Sequence, residues 1–347
     1  MVKQFIPTRV FYEPEVLEYS LGKTLVERFR HLGIPITPTT SHNRVTGIPS
    51  KNVVEGYREA KRTLVIGVRR SKTFQSCKPS AHYQLPLVTS CPGMCEYCYL
   101  ATTLGKKPYV RVYVNLEEIL STTSKLIQER LPEITRFEGA ATSDPLSVEH
   151  YTGGLKHAIE FFGKQPYGRF RFVTKYTGVD SLLDAQHKGH TRFRFSLNCN
   201  EVVDKFEHLT PSPEERIIAA GKVLNAEYPL GFIIAPIFRF QGWQEAYRRL
   251  LERTANELVK RAPSGWSMDQ LTLEFISHRF TLKAKTNILE VFPNSSLPME
   301  ENERKFKYGQ FGYGKYIYKP EEMEELRDFF QEQAKCYFPS ACVEYFV

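Results

Sequence analysis

The chain has no apolar run long enough to cross a bilayer. The longest stretch, around Pro229 to Phe240, falls well short of the roughly 20 residues a spanning helix needs. The opening residues, Met1 to Pro7, form no apolar signal core, so the protein is expected to stay in the cytoplasm. There is no low-complexity linker and no evident internal repeat, which argues against a repeat architecture. A disulfide framework is missing too. The cysteines number 7, an odd count with three clustered, and reduced thiols suit the cytosol. Four histidines, His42, His82, His157 and His278, stand alone without metal-ligand spacing and read as surface or core residues.

What is present fits an ordinary globular protein. There are 347 residues, 41% hydrophobic and 25% charged, enough for one large or two medium domains. The formal net charge is +8, which favours an anionic partner, most often nucleic acid. Residues 1–76 read as an N-terminal extension, with an amphipathic helix over Pro14–Leu32 and a β-type run over Thr63–Val68. Lys61, Arg62, Arg69, Arg70 and Lys72 flank that run and read as a solvated basic face.

From about His82 strands alternate with helices. The strand-like runs are Tyr83–Thr89, Tyr109–Val114, Thr135–Ala141, Arg169–Thr174, Thr191–Leu197 and Leu230–Ile237. Between them, Leu116–Leu131 reads as a helix. So does Ser212–Tyr228, with Ser212 as N-cap, Pro213 in the first turn and Glu215 three residues past the cap. Such alternation implies a parallel sheet. The expected fold is α/β: a partial (β/α)6 TIM-like barrel over 77–262, with a C-terminal segment over 263–347. Chemistry in barrels sits at the carboxyl ends of strands. There the sequence offers the cysteine loop, Ser143 and Asp144, Lys175, Ser196 and Ala235.

That loop reads Cys91-Pro-Gly-Met-Cys95-Glu-Tyr-Cys98-Tyr, a C-x3-C-x2-C spacing that gathers three thiolates. Three ligands leave one iron of a cubane cluster open. Structural zinc is the rival, but it normally takes four ligands and no second C-x2-C pair exists. Cys77, Cys199, Cys336 and Cys342 are scattered, and any could supply a fourth ligand. Tyr97 and Tyr99 flank Cys98 and read either as packing over the cluster or as phenols that pass a hydrogen atom or an electron.

The motif resembles the radical S-adenosylmethionine superfamily, and within it the spore photoproduct lyase family. The likeness covers essentially the whole chain, notably Thr89–Leu100, Arg136–Asp144 and Val173–Leu183. It implies a [4Fe–4S] cluster on Cys91, Cys95 and Cys98, with S-adenosyl-L-methionine chelating the fourth iron. It also implies a lyase that reverses a methylene-bridged thymine dimer to two thymines through a 5′-deoxyadenosyl radical. By the same likeness Ser143, Lys175, Ser196, Ala235 and Tyr99 contact S-adenosylmethionine. Tyr97 and Tyr99 lie on the hydrogen return path. The implied partners are lesion-bearing double-stranded DNA and a flavodoxin- or ferredoxin-type electron donor. The implied setting is the cytoplasm of a spore or germinating cell, with no membrane and a monomeric chain.

One position departs from the family. Ala141 stands where the family carries a cysteine thought to donate a hydrogen atom to the thymine radical. A thiol S–H is weak enough to do so and a methyl C–H is not, so impaired final hydrogen donation is expected. A substitution made to stall the reaction and a natural homologue with another donor both explain this; the matching neighbours favour the first.

Residues 304–319 have a hairpin pattern in which Arg304, Lys305, Lys307 and Lys315 interleave with aromatics that include Tyr308 and Tyr316. This reads either as an aromatic hairpin packed on the barrel or as a DNA contact, with lysines on phosphates and rings on exposed bases. Two alternatives to the lyase stay open: a radical enzyme on another nucleic-acid or small substrate, and a metal-stabilised nucleic-acid-binding module.

Overall fold

A computed structural model describes residues 4–98, 104–308 and 314–347. In chain order the strands are β1 (Arg9–Tyr12), β2 (Ile36–Pro38), β3 (Thr63–Gly67), β4 (Ser76–Cys77), β5 (Ala81–Gln84), β6 (Val88–Thr89), β7 (Met94–Cys95) and β8 (Val110–Tyr113). There follow β9 (Thr135–Glu138), β10 (Gly168–Thr174), β11 (Thr191–Leu197), β12 (Glu207–His208), β13 (Leu230–Ile237), β14 (Thr272–Ser277), β15 (Lys305–Tyr308), β16 (Gly314–Ile317) and β17 (Cys342–Phe346).

The main sheet has eight strands in the order β17-β14-β13-β11-β10-β9-β5-β4. Every pairing from β5 to β17 is parallel, and only the edge strand β4 runs antiparallel. It is a curled half-barrel, in line with the expected fold class. A second, five-stranded sheet, β2-β1-β3-β8-β6, packs beside it.

The strand bookkeeping differs from the sequence reading in two ways. Val110–Tyr113 was expected as a barrel strand but pairs with β3 in the five-stranded sheet. The Tyr83–Thr89 run breaks at Pro86 into β5 and β6, which enter different sheets; a proline cannot donate to a ladder. The cysteine loop therefore follows β6. The half-barrel is completed by β14 and β17, from the part of the chain beyond 262.

Period-2 alternation sorts the two faces of the barrel strands. Phe170 and Phe172 of β10 share a face with Phe193 and Phe195 of β11. They pack outward, and Phe170 stacks on Phe162 of the Gly154–Gly163 helix with ring centroids 5.2 Å apart. The opposite, concave face carries Glu138, Arg171, Arg194 and Glu274, all buried. Arg194 donates to both oxygens of Glu274 at 2.9 Å and is also paired with Glu138. Gly231 leaves the space this needs, since a Cβ there would lie 3.2 Å from Arg194 Cγ.

The helix at Pro213–Asn225 carries the capping box read from the sequence. Ser212 Oγ accepts from Glu215 N at 3.2 Å, and Ser212 N donates to Glu215 Oε2 at 2.8 Å. A cap of this kind contributes about 1 kcal/mol, and it fixes where Arg216, one residue on, points. No helix among the described residues is long and apolar enough to cross a membrane.

Candidate active site

The cysteine loop is pinned to the carboxyl mouth of the half-barrel from two sides. Ser90 N donates to Thr142 O at 2.8 Å, and Ser90 bridges Ser143 just past β9. On the other side β7 pairs antiparallel with β12, setting Cys95 opposite Glu207, while Glu96 N donates to Phe206 O at 2.9 Å. Lys61 approaches from a third direction. The sequence reading put it on a solvated face, but it is buried and its Nζ donates to Cys91 O at 2.9 Å. Its helix, Val53–Lys61, packs this face inward, and the ammonium finds the carbonyl that compensates its burial.

Cys91 and Cys95 are shifted by burial and by the charges around them. Burial pushes Cys91 up to about 11 and Cys95 higher still; the charge of Cys98 raises both further, and that of Cys91 raises Cys95. Burial also raises Tyr57 and Tyr176, and both respond to the charge of the loop cysteines. Both phenol oxygens are buried without a hydrogen-bond partner among the described residues. Buried polar atoms are rarely left so. Soft donors crowded together beside orphaned phenols suit a metal-containing group, whose cation would let the thiols ionise. Among the described residues no three metal-binding side chains stand in an assembled ligand set.

Opposite the loop, the ends of β10 and β11 bring Lys175 and Ser196 together. Lys175 Nζ donates to Ser196 Oγ at 3.0 Å, to Glu207 Oε1 at 3.0 Å and to Tyr97 OH at 3.2 Å. The Tyr97 hydroxyl donates in turn to Glu207. Arg216, fully buried, donates to Glu207 Oε2 at 2.6 Å. Burial alone would raise the Glu207 carboxyl, but Lys175 and Arg216 hold it down to about 2. Asp144 ties β9 to β10 by accepting from Thr174 Oγ1 and Lys175 N, each at 2.8 Å. Burial raises it to about 6 despite these bonds.

Ser143 is buried at the bridge to Ser90, and its Oγ donates to Gly139 O at 3.4 Å. Ala235 is half-buried near the end of β13, on the concave side with Ile233. Tyr99 lies outside the described residues. Ala141 lines a cavity of about 260 Å³ together with Gln75, Gln84 and Glu138, and with Arg69 and Arg111.

Neither Glu207 nor Arg216 stood out in the sequence, and Lys61 was read only as part of a solvated basic face. Glu207 carries no motif, and its place depends on the β7–β12 pairing. The concave-face charges did leave a signal: arginine and glutamate at alternate positions of otherwise apolar strands.

The hairpin is present as β15 paired antiparallel with β16; its turn falls outside the described residues. Lys305, Phe306, Lys307 and Tyr308 are exposed, Tyr308 at 73%. Lys315 is lowered by burial and by the neighbouring charges of Arg279 and Lys307, so three cations crowd one face. Arg304 turns inward instead, donating to His278 O at 3.1 Å and Pro298 O at 3.0 Å. Tyr316 also packs inward, stacked on Phe280 at 5.2 Å. Rings continue from there to the cysteine loop: Phe280 to His278 at 6.1 Å, His278 to Phe238 at 4.6 Å, Phe238 to Tyr97 at 6.0 Å. Burial, with Arg304 beside it, holds His278 down to about 3, so its ring stacks uncharged.

A half-barrel of parallel strands whose carboxyl mouth gathers three thiols opposite a lysine–serine pair defines a partial-barrel protein with a thiol-rich site. Comparison with known proteins narrows this. The family profile described as spore photoproduct lyase matches residues 5–347. A spore photoproduct lyase from a Geobacillus species is 51% identical over 345 residues, covering 99% of this chain and all of the relative. A solved spore photoproduct lyase complexed with dinucleoside spore photoproduct superposes with a TM-score of 0.95 at 51% identity, covering 99% of this chain and all of its own. A second solved chain matches equally well in shape, TM-score 0.95, at 52% identity and the same coverage. It is a double variant, cysteine to alanine and serine to cysteine, with bound AdoMet and dinucleoside spore photoproduct. The chain belongs to the spore photoproduct lyase family.

Proposed function

We propose that this protein reverses the spore photoproduct in DNA to two thymines, with S-adenosylmethionine and a [4Fe–4S] cluster held by Cys91, Cys95 and Cys98, in the cytoplasm of a spore-forming cell. The observation that carries the reading is the meeting of the thiol loop with Lys175 and Ser196 at one mouth of the half-barrel. When bound, the cluster and its sulfonium ligand supply one-electron cleavage of a C–S bond.

The chain's own residues do the rest. Lys175 offers an ammonium to a ligand carboxylate, while Glu207 and Ser196 hold it in place. Tyr97, half-buried against the core, covers the loop and helps exclude water from a reactive centre. Arg69 and Arg111 at the cavity mouth suit the phosphate of a dinucleotide step. Ser143 and Ala235 line the side on which the cofactor would lie. An outside donor of the flavodoxin or ferredoxin type supplies the electron.

The direct test is anaerobic loading with iron and sulfide, followed by strong reductant and a lesion-bearing dinucleoside. A brown protein with about four irons per chain that converts the dinucleoside is the expected result. Bound zinc and no conversion would favour the metal-stabilised binding module.

The lesion must leave the duplex to reach this mouth, and linked thymines stack poorly, which lowers the cost of extrusion. Lys305, Lys307 and Lys315 on the exposed hairpin face are the groups proposed to hold the backbone. Replacing all three by Ala is expected to weaken lesion-DNA binding. It should also flatten the log–log salt slope by about 0.9 for each phosphate no longer neutralised. Binding titrations at several salt concentrations measure this, and an unchanged slope counts against the hairpin.

A further inference from the structure

We infer that the outer face of the Val53–Lys61 and Leu282–Val291 helices is the surface on which an acidic one-electron carrier protein docks to reduce the cluster. The inference rests on the function proposed above.

Geometry joins this face to the thiols. Tyr57 of the first helix is fully buried, and its ring meets that of Phe292, just past the second helix, at 5.8 Å between centroids. Tyr57 and Val291 form one small apolar cluster with Val53, Phe292 and Met94, the residue before Cys95. The charges that bear on the Tyr57 phenol are those of Cys98, Cys91 and Cys95, whereas Lys175 and Glu207 bear on Cys95 from the barrel side. One helical turn past Tyr57, Lys61 Nζ donates to Cys91 O at 2.9 Å. The segment entering β8 closes the same side. Its Pro108 O accepts from Ser90 Oγ at 2.7 Å, next to Cys91, and a Cβ at Gly56 would lie 3.6 Å from Lys107 Cε. Lys106 pairs with Glu290 of the second helix. Two helices and this short segment are what separates the thiol loop from solvent here.

The outward side chains suit an acidic protein. Lys51, Arg58, Lys106, Lys107 and Lys283 are exposed. The acidic groups beside them are engaged: Glu290 with Lys106, Glu59 with Arg9 and Arg62, and Glu55 on Lys51 N. That leaves a positive surplus. Leu282 and Leu289, seven apart on one stripe of the second helix, are exposed too. So is Leu209, beside His208, whose ring lies 6.1 Å from Phe292. Exposed leucines ringed by cations favour a protein over a phosphate backbone, which offers charge but little apolar surface to cover them. Rim cations steer an acidic partner, and redox encounters need only a small interface, under about 1,200 Å². Electron transfer falls off steeply with distance, so a carrier seated on this face is well placed. One electron leaves the reduced carrier and enters the cluster, and no atom passes between the proteins.

The test uses the anaerobically loaded protein, an FMN-containing flavodoxin of strongly negative net charge, and dithionite as a reductant that needs no docking. The parent chain is expected to bind the flavodoxin and to convert lesion dinucleoside with either reductant. Arg58→Glu combined with Lys107→Glu should weaken flavodoxin binding by about 10-fold at low salt and flatten its salt dependence, as reversed rim charges do. The reduced flavodoxin needed for half-maximal turnover should rise in step, while dithionite-driven turnover stays unchanged. Leu289→Ser should weaken binding severalfold with the salt dependence kept. Unchanged flavodoxin affinity in the charge-reversed variant overturns the inference, as does a parent chain that binds no flavodoxin. Loss of duplex DNA affinity in that variant, with flavodoxin affinity kept, assigns the face to nucleic acid and overturns it as well. If the parent chain converts no lesion under dithionite, the proposed function falls instead, and the binding titrations alone decide the docking face.

Discussion

A Cys98→Ala variant is expected to fold normally, lose its iron and convert no lesion. Cys98 is half-buried, and the hydrogen bond it makes is a backbone one, N to Cys95 O at 3.2 Å. Removing one sulfur from a half-buried site costs stability about 1 kcal/mol. The loop stays pinned through Ser90, Cys95 and Glu96, none of which depends on that thiol. In the proposed cluster, two protein ligands would leave two irons uncovered, and neither the cluster nor its ordered ligand would be held. Conversion of the dinucleoside should fall by at least about 10³-fold, the scale on which removal of an essential catalytic group acts. Iron content, the visible absorption of the anaerobically loaded protein and product analysis measure this together. Cys336→Ala, on the exposed face of the last helix, should change none of them. Retention of iron and turnover in Cys98→Ala would defeat the three-thiol reading, whereas loss of folding would show that the thiol has a structural task the geometry does not reveal.

Local rules account for what could be read before the fold was known. The capping box at Ser212 and Glu215 depends on residues three apart, and the β10 and β11 patterns depend on neighbours two apart. The thiol loop is one short, contiguous motif. All three were legible because their physics is short-range. Sheet membership was not. The run Val110–Tyr113 is as strand-like as any barrel strand, but nothing within it says that its partner is β3. Lys61 was misplaced for the same reason: its carbonyl partner is thirty residues away, and flanking charges made the segment look solvated. The concave-face ion network sits between these cases. Its arginines alternate within the strand-like runs, a signal left unread in the sequence, and the pairing of Arg194 with Glu138 and Glu274 needed three strands in register.

Glu207 shows what such long-range placement is worth. Its side chain is fully buried, as is that of Arg216, and Lys175 is 16% exposed. One carboxylate therefore answers two cations that have little access to water. Glu207→Ala would leave both without a counter-charge. Arg216 would keep its bonds to Pro211 O, Thr210 Oγ1 and Ser196 O, which satisfy its donors but not its charge. The expected loss is about 3–5 kcal/mol, the usual penalty for stripping the partner from a buried ion. Tyr97 would lose its acceptor as well, and a half-buried hydroxyl so orphaned adds up to about 1 kcal/mol. Glu207→Gln keeps the volume and one acceptor oxygen, so it should lose less. Urea unfolding of the two variants beside the parent gives the comparison, with midpoints ordered parent, Gln, Ala. Because Glu207 also steadies the Lys175 ammonium, Glu207→Gln should weaken S-adenosylmethionine binding even under conditions where it is fully folded. The same midpoint in all three chains would mean that the network is screened by water and contributes nothing to the mouth of the barrel.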